Sequence, residues 1–152
     1  MAGVCVGVVM GSESDRGVME KALCVLDELG VQYEVVVSSA HRNPEKTAKY
    51  AQEAAGRGVK VVIAGAGLAA ALPGVLAAHT ILPVIGVPIA SGALNGMDAL
   101  VSMAQMPSGV PVGTVGINNA KNAAFLAVEI LALGDEEVRG RLVAFREKMS
   151  QG

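Results

Sequence analysis

Short apolar runs rich in β-branched residues alternate with segments of helical periodicity along most of the chain. The first run, residues 4–10, ends at Gly11, and an unbroken run of this kind is typical of a strand buried on both faces of a parallel sheet. Over residues 15–29 the apolar residues instead follow helical spacing, and Gly30 provides a natural helix end. The chain therefore begins as a buried strand followed by a helix.

The same pair of patterns recurs through the rest of the sequence. The sequence predicts strands at residues 4–10, 33–37, 59–64, 84–87 and 112–117. It predicts helices at residues 15–29, 44–55, 72–78, 98–105 and 120–133. Alternating strands and helices predict an α/β fold with a central parallel sheet of about five strands, covered by helices on both faces and connected by right-handed crossovers. This is a three-layer flavodoxin-like, or Rossmann-like, sandwich.

The composition fits a single core of this kind. The chain has 152 residues, of which 52% are hydrophobic but only 3% aromatic, and 19 are glycine. A chain of this length buries well over half of its unfolded surface. We therefore predict one domain over residues 1–152, with a core in residues 4–133 built from small, closely packed side chains.

Residues 136–150 differ from the rest because they mix many charged residues with an apolar stripe formed by Leu142, Phe145 and Met149. A terminal helix with such a stripe needs a surface to cover. Two interpretations stay open: the helix packs on its own domain, or it packs on a neighbouring subunit of an oligomer.

Charge and cysteine content argue against several classes of protein. The formal net charge is −2 and the basic residues are scattered, so nucleic acid is not an expected partner. Cys5 falls in a predicted strand and Cys24 in a predicted helix. We interpret both as small core residues and not as a disulfide, which suits a reducing compartment such as the cytoplasm.

Membrane and metal sites are not expected either. No apolar run reaches the ~18 residues of a membrane span, and the first residues lack the basic segment of a signal peptide. The two histidines, His41 and His79, are 38 positions apart, and no cysteines cluster. These spacings do not match a metal site.

Ligands of open parallel sheets bind at the carboxyl ends of the strands, where the loops lead into helices. Four segments of this chain follow predicted strands, namely residues 11–15, 38–44, 65–67 and 88–92. We expect all four to lie at the same edge of the sheet.

The first of these segments, GSESD at residues 11–15, offers hydroxyls and backbone N–H groups at the start of a helix, which suits a phosphate. Its serine and aspartate side chains also suit a phosphate and ribose hydroxyls respectively. Alternatively, Ser14 or Asp15 only caps the helix. The sequence lacks Gly-x-Gly-x-x-Gly and Gly-Lys-Ser/Thr motifs, which favours a monophosphate over a dinucleotide or a triphosphate.

The second segment, SSAHRNP at residues 38–44, places His41 beside Arg42. The arginine is a permanent cation whose planar fork suits phosphate or carboxylate. A cation beside the imidazole favours its neutral form, which can accept and then donate a proton. The alternative is a solvated or capping histidine.

The segment that follows the third strand, GAGLAAALPG at residues 65–74, contains no polar side chain. It offers backbone groups and an apolar wall, and such a wall excludes water from a reactive intermediate. The glycines also fit a simple tight turn.

Five motifs in this order closely resemble the 5-(carboxyamino)imidazole ribonucleotide mutase family of purine biosynthesis. They are MGSESD at 10–15, SAHR at 39–42, GAG at 65–67 with LPG at 72–74, PVIGVP at 83–88 and QMP at 105–107. The resemblance covers residues 4–133, and the five linked motifs are far more specific than any one alone.

The resemblance implies a flavodoxin-like homo-octamer, located in the cytoplasm, whose C-terminal helices, here residues 136–150, pack on neighbouring subunits. It implies an isomerase, without metal or organic cofactor, that acts on a ribonucleotide monophosphate. The enzyme moves a carboxylate from the exocyclic amine to C4 of the imidazole ring.

The same resemblance assigns roles to individual residues. His41 is the catalytic residue that moves the proton, and Arg42 binds the phosphate end of the substrate. Ser12 and Asp15 bind the ribose phosphate. The remaining substrate-binding residues are Ser14, Ser39, Gly65, Ala66, Gly67 and Leu72.

Two positions depart from the pattern of the resembled family. Leu68 replaces a glycine, and Ala71 replaces a histidine, so a second imidazole is missing. His79 lies eight residues further along the chain, which is about 12 Å along a helix, too far to replace it. We interpret His79 as an ordinary residue at a helix end.

Two other functions stay open. One is an aminoimidazole ribonucleotide carboxylase that uses free carbon dioxide, although that branch typically has lysine at the position of Arg42 and lacks the Gly-Ala-Gly segment. The other is a non-catalytic nucleotide-binding relative, which the loss of histidine at Ala71 makes conceivable.

Overall fold

A five-stranded parallel sheet forms the centre of the computed structural model, which describes residues 3–152. The strand order is β2-β1-β3-β4-β5, and each neighbouring pair is parallel. The strands are β1 Val6–Met10, β2 Tyr33–Val37, β3 Val61–Gly67, β4 Val84–Ile89 and β5 Gly113–Thr114. The α/β fold with about five parallel strands is therefore confirmed.

Six α-helices connect and flank the strands in the described part of the chain. They are α1 Arg16–Glu28, α2 Pro44–Ala54, α3 Leu72–Ala78, α4 Met97–Ala104, α5 Ala120–Ala132 and α6 Glu136–Ser150. Short 3-10 turns precede α1 and follow α2, at Glu13–Asp15 and Ala55–Arg57.

The core has two layers, one on each face of the sheet. Val8 points to the layer formed with α1 and α5, whereas the next residue, Val9, points to the layer formed with α2, α3 and α4. Ala123, Ala124 and Ala127 of α5 are completely buried. Their small side chains let this helix approach the sheet closely, as the low aromatic content predicts.

Gly7 illustrates why β1 needs a residue without a side chain. A Cβ atom there would lie 2.0 Å from the Tyr50 hydroxyl of α2. The buried Tyr50 donates a hydrogen bond of 2.8 Å to the Glu34 carboxylate on β2, and burial, followed by this contact, raises the pKa of the tyrosine. Gly7 thus allows α2 to be anchored to the edge of the sheet.

The C-terminal ends of three strands, β3, β4 and β5, differ from the predicted ones. Strand β3 continues to Gly67 and β4 to Ile89, so residues that were expected to be loops belong to the sheet. Their mutual pairing, from Val62 with Val84 to Gly67 with Ile89, overrides the turn preference of glycine and proline.

Strand β5 is shorter than the predicted span of residues 112–117. Only Gly113 and Thr114 pair with β4, and the chain turns at Ile117 and Asn118, where the φ of Asn118 is 61°. Single hydrogen bonds still connect this stretch to β4, from Val115 N–H to Gly86 O at 3.1 Å and from Asn118 N–H to Pro88 O at 2.8 Å.

The two cysteines lie in different environments, and no disulfide joins them. Cys5 is buried, as predicted, whereas Cys24 is exposed, so its predicted place in the core is wrong. The buried face of α1 carries Met19, Ala22 and Leu26. At 100° per residue, position 24 lies on the opposite side of the helix.

Helix α6 packs on its own chain. The Phe145 ring lies 4.8 Å from the Phe125 ring of α5, between centroids, and Arg141 Nε donates to the Leu29 carbonyl at 2.7 Å. Part of the predicted apolar stripe nevertheless faces solvent, because Met149 is 57% exposed. Contact of this helix with another subunit remains a prediction.

The loops after β1, β2, β3 and β4 open at one edge of the sheet, since all strands are parallel. The strand order reverses around β1, which has β2 on one side and β3 on the other. Such a reversal leaves a crevice at the carboxyl ends of the strands, where open α/β sheets bind ligands. Among residues 3–152 no helix is long and apolar enough to cross a membrane.

Candidate active site

A cavity of about 280 Å³ lies at this edge, next to the ends of β1, β2 and β3. It is lined by Gly11, Ser12, Ser14, Asp15, Ser39, Ala40, His41, Arg42, Ala66, Gly67, Leu68, Ala70, Ala71, Leu72 and Ser91. The topology thus brings residues that are up to 80 positions apart in sequence, from Gly11 to Ser91, into one site.

The segment after β1 is held by Ser12. The Ser12 hydroxyl accepts hydrogen bonds from the Ser14 N–H at 3.2 Å and from the Ser14 hydroxyl at 3.0 Å. Asp15 stands at the N-cap position of α1, but its side chain makes no capping hydrogen bond. Neither Ser14 nor Asp15 therefore caps α1 with its side chain, which was the alternative role considered for them in the sequence. The Asp15 carboxyl is available to the cavity.

Arg16 does not contribute its charge to the cavity. Its guanidinium forms two hydrogen bonds of 2.8 Å with the Glu13 carboxylate, and this pair is solvent-exposed. Among the described residues that line the cavity, the guanidinium group is that of Arg42.

Burial raises the pKa of the Asp15 carboxyl above its ordinary value, 3.8, and a backbone hydrogen bond from Ser12 opposes this shift. The folded protein therefore disfavours the charged form of the group. Relative to a neutral side chain, Asp15 contributes stability at low pH that is lost as pH rises through its folded pKa.

We expect Asp15→Asn to gain stability over the wild type as pH rises, because the amide cannot ionise in this partly buried place. Urea denaturation at pH 3 and at pH 7 measures the difference in unfolding free energy between the two proteins. A difference that is independent of pH, or largest in acid, would contradict this assignment.

Hydrogen bonds hold the backbone of the segment after β2 in place. The buried Ser38 hydroxyl lies 2.7 Å from the Thr47 hydroxyl of α2. The Ser39 hydroxyl accepts from the Arg42 N–H at 3.2 Å, and the Asn43 side chain caps α2 by accepting from the Lys46 N–H at 3.2 Å. These contacts fix the backbone on both sides of position 41.

The His41 imidazole and the Arg42 guanidinium are exposed at the cavity. Within residues 3–152 neither side chain forms a hydrogen bond or an ion pair. Their donors are consequently free to contact a ligand, and a planar guanidinium binds phosphate or carboxylate through two parallel hydrogen bonds.

The third side of the cavity is apolar. Ala66 and Gly67, at the end of β3, lead into a turn in which Ala70 N–H donates to Gly67 O at 3.0 Å. Leu72 then begins α3. Gly65 differs from the other predicted site residues because it does not line the cavity. A Cβ at Gly65 would lie 2.3 Å from the Met19 sulfur, so the absence of a side chain lets α1 pack closely on β3.

Leu68 occupies a backbone conformation that favours glycine. Its φ is 55°, and its side chain is 53% exposed. For a residue with a Cβ atom this left-handed conformation costs about 1–2 kcal/mol. The glycine that the resembled family carries at this position would adopt it without that cost.

Leu68→Gly is therefore expected to stay within about 1 kcal/mol of wild-type stability, because relief of the left-handed conformation offsets the added freedom of the unfolded chain. Leu68→Val should lose about 1–2 kcal/mol, since β-branched residues tolerate a positive φ least. Urea denaturation of both variants checks this order, and greater stability of the valine variant would contradict it.

Two further positions complete the comparison with the sequence. Ser91 lines the cavity although it was not among the predicted site residues. The signal that could have identified it is its place as the first hydroxyl after β4. His79 lies at the C-terminal end of α3 and does not line the cavity, so it does not replace the imidazole missing at Ala71.

The described residues contain no group of three or more His, Cys, Asp or Glu side chains that could hold a metal ion. The polar groups at the cavity are hydroxyls, one carboxyl, one imidazole and one guanidinium, beside an apolar wall. This set suits a small organic anion with hydroxyl groups.

A parallel α/β sandwich with an imidazole and a guanidinium in a crevice at the carboxyl edge of its sheet has its polar groups where proteins of this architecture bind small ligands. The family follows from comparison with known proteins. Residues 5–152 match the family model described as AIR carboxylase, and the chain belongs to this family.

Relatives with assigned names match nearly all of the chain. It is 57% identical to the N5-carboxyaminoimidazole ribonucleotide mutase of Pyrococcus abyssi over 146 residues, which are 96% of this chain and 84% of that protein. It is 50% identical over 146 residues to the phosphoribosylaminoimidazole carboxylase of Schizosaccharomyces pombe, covering 96% of this chain but 26% of that longer protein.

A solved structure confirms the fold. The crystal structure of Treponema denticola PurE superimposes with a TM-score of 0.88 at 32% identity, covering 97% of this chain and 92% of that one. The flavodoxin-like architecture predicted from the sequence is therefore that of a known enzyme family.

Proposed function

We propose that the chain is an N5-carboxyaminoimidazole ribonucleotide mutase of purine biosynthesis. The observation that carries this proposal is the convergence of nine predicted site residues, all except Gly65, on one cavity in a chain that belongs to this family. The names of the closely similar relatives support the same reaction.

The reaction is an isomerisation through carbon dioxide held in the site. The N–C bond of the carbamate breaks, the exocyclic amine gains a proton, and carbon dioxide is left beside aminoimidazole ribonucleotide. C4 of the ring then attacks the carbon dioxide, forms the new C–C bond and loses its proton. The number of protons is unchanged overall, so one acid and base group can serve both steps.

His41 is the residue proposed to move that proton. It is the imidazole at the cavity, and it makes no hydrogen bond to other described residues that would hold it away from a ligand. The imidazole donates a proton to the amine as the carbamate breaks. It then accepts the proton from C4, which restores the starting state.

The other polar residues are proposed to hold the ribose phosphate. Arg42 binds the phosphate end through its guanidinium fork. Ser12, Ser14 and Ser39 donate hydroxyl hydrogen bonds, and Asp15 accepts from the ribose hydroxyls. Placing Asp15 here agrees with a carboxyl that lines the cavity without capping α1.

The apolar wall is proposed to retain carbon dioxide. Ala66, Gly67 and Leu72 offer backbone groups and apolar surface but no polar side chain. Carbon dioxide is small and neutral, so it is held by exclusion and not by charge. Keeping it near C4 replaces a bimolecular encounter, a gain that reaches roughly 7–11 kcal/mol at best.

The second candidate is a carboxylase that captures free carbon dioxide, which the name of the Schizosaccharomyces pombe relative favours. The purified protein should be offered the carbamate substrate in one assay and aminoimidazole ribonucleotide with bicarbonate in another. We expect efficient turnover of the carbamate. Efficient turnover of the second pair alone would assign the carboxylase reaction, and no turnover of either would favour a non-catalytic nucleotide-binding protein.

Assembly and location complete the proposal. We propose a single domain over residues 1–152 that forms a homo-octamer in the cytoplasm, with α6 in contact with neighbouring subunits. The exposed apolar residues Leu133, Val143 and Met149 near and on α6 are consistent with such contacts. Light scattering should give a mass of about eight chains, and a stable monomer would contradict this assembly.

A further inference from the structure

Leu68 joins two of the loops that surround the cavity. It lies in the turn between β3 and α3, and its Cδ2 atom would be 2.9 Å from a Cβ placed on Gly92, in the loop between β4 and α4. Both residues have positive φ values, 55° for Leu68 and 69° for Gly92. A side chain at position 92 would therefore have to displace the tip of Leu68, so the two loops approach each other closely at this point.

The other residues of this turn have no polar side chain that would explain the left-handed conformation of Leu68. Ala70, with φ 43°, also lies in the left-handed region, and Ala70 and Ala71 line the cavity with methyl groups. Strained non-glycine residues persist where the surrounding structure holds them, and they cluster at functional sites. The side chain that the turn delivers to the cavity is that of Leu68, an aliphatic group at its solvent-facing rim.

The geometry points to Leu68 as the residue that keeps carbon dioxide from leaving the cavity, by closing its apolar rim against Gly92. This inference rests on the proposed function and adds a specificity-determining residue to it. An aliphatic side chain at the rim blocks the exit of a small neutral molecule and the entry of water. Ala71 also lines the cavity. Its methyl group fills less space than the imidazole that the resembled family carries at this position, which increases the need for an aliphatic group at the rim.

Carbon dioxide is free to escape in the interval between the breaking of the carbamate N–C bond and the formation of the new bond to C4. After the carbamate N–C bond breaks and the amine is protonated, carbon dioxide either reacts with C4 or escapes and is hydrated to bicarbonate. Escape leaves aminoimidazole ribonucleotide as the released product. Leu68 thus governs how the intermediate divides between these two fates, while His41 governs the proton transfers.

The test uses carbamate substrate labelled in its carboxylate, with the full-length protein in unlabelled bicarbonate. Wild-type protein should retain the label in the C4 carboxylate product. Leu68→Gly should raise the ratio of released aminoimidazole ribonucleotide to labelled product by about tenfold, which is a change of about 1.4 kcal/mol in partitioning. The rate of carbamate breakdown without enzyme is subtracted.

Three further variants separate the rim from other effects. Leu68→Asn keeps a residue that tolerates positive φ but makes the rim polar, so it should also lose label. Leu68→Met restores an aliphatic side chain of similar size and should retain it. Ile81→Ala removes a 98% exposed aliphatic residue that is not among the cavity-lining residues, and it should behave as wild type.

Circular dichroism confirms that each variant is folded, and the methionine and asparagine variants decide the question if Leu68→Gly does not fold. Equal retention of label by wild type, Leu68→Gly and Leu68→Asn overturns the role of Leu68 and leaves the proposed function intact. Failure of the wild type to form any C4 carboxylate from the carbamate overturns both.

Discussion

Replacing His41 with asparagine lowers kcat by roughly 10³-fold, within the range of 10² to 10⁴ that a general acid and base contributes. Both proton transfers of the proposed reaction use this imidazole, and the amide of asparagine has similar size but cannot accept and return a proton. Steady-state kinetics with the carbamate substrate measure the loss.

Binding should be nearly unchanged in the same variant. The phosphate and ribose contacts are assigned to other residues, so the Kd for aminoimidazole ribonucleotide should stay within about tenfold, or ~1.4 kcal/mol. His79→Asn is the matched control because His79 does not line the cavity, and it should keep wild-type kcat. Wild-type turnover by His41→Asn would eliminate the proton shuttle.

Arg42→Ala has the second largest expected effect, an increase in KM of about 100-fold. A hydrogen bond to a charged group contributes about 1.5–3 kcal/mol, and the guanidinium fork is assigned two of them on the phosphate. Because Arg42 forms no ion pair with other described residues, its loss leaves no buried charge behind. The effect therefore belongs to the ligand and not to stability.

Arg42→Lys separates charge from geometry. Lysine keeps the positive charge but presents a single ammonium group, so its KM should lie between those of the wild type and the alanine variant. Arg139→Ala removes an exposed arginine of α6 that is not among the cavity-lining residues and should leave KM unchanged. An unchanged KM for Arg42→Ala would show that the phosphate binds elsewhere.

Most of the fold was predictable from hydrophobic periodicity. The alternation of buried runs and amphipathic segments predicts every strand and helix in its correct order, because each period reflects which faces are buried. The predicted end of β3 was wrong because its glycines serve packing and not a turn. Gly65 and Gly67 have the composition of a turn, yet β3 continues through both, since pairing with β4 and contact with Met19 depend on residues distant in sequence.

The position of Cys24 shows another limit of sequence reasoning. A cysteine inside a helix is often buried, but burial depends on which side of α1 meets the sheet, and only the spacing of Met19, Ala22 and Leu26 reports this. The residue type alone therefore led to the wrong prediction that Cys24 is buried. Strand β5 was predicted too long for a different reason, because Val115 and Ile117 have β-branched side chains that favour a strand although only Gly113 and Thr114 pair with β4.

The site was more predictable than the strand ends. In a parallel sheet every residue that directly follows a strand is directed to one edge, so polar residues such as Ser12, Asp15 and His41 must meet there. Sequence could not reveal the contact between Leu68 and Gly92, because it depends on two left-handed residues in separate loops.

A crystal structure of the protein with bound aminoimidazole ribonucleotide tests the central claim most directly. We expect the phosphate on the Arg42 guanidinium and the His41 imidazole within hydrogen-bond reach, about 2.6–3.2 Å or one water molecule, of the exocyclic nitrogen and close to C4. A ligand bound with its imidazole ring away from His41 would contradict the proposed proton transfer.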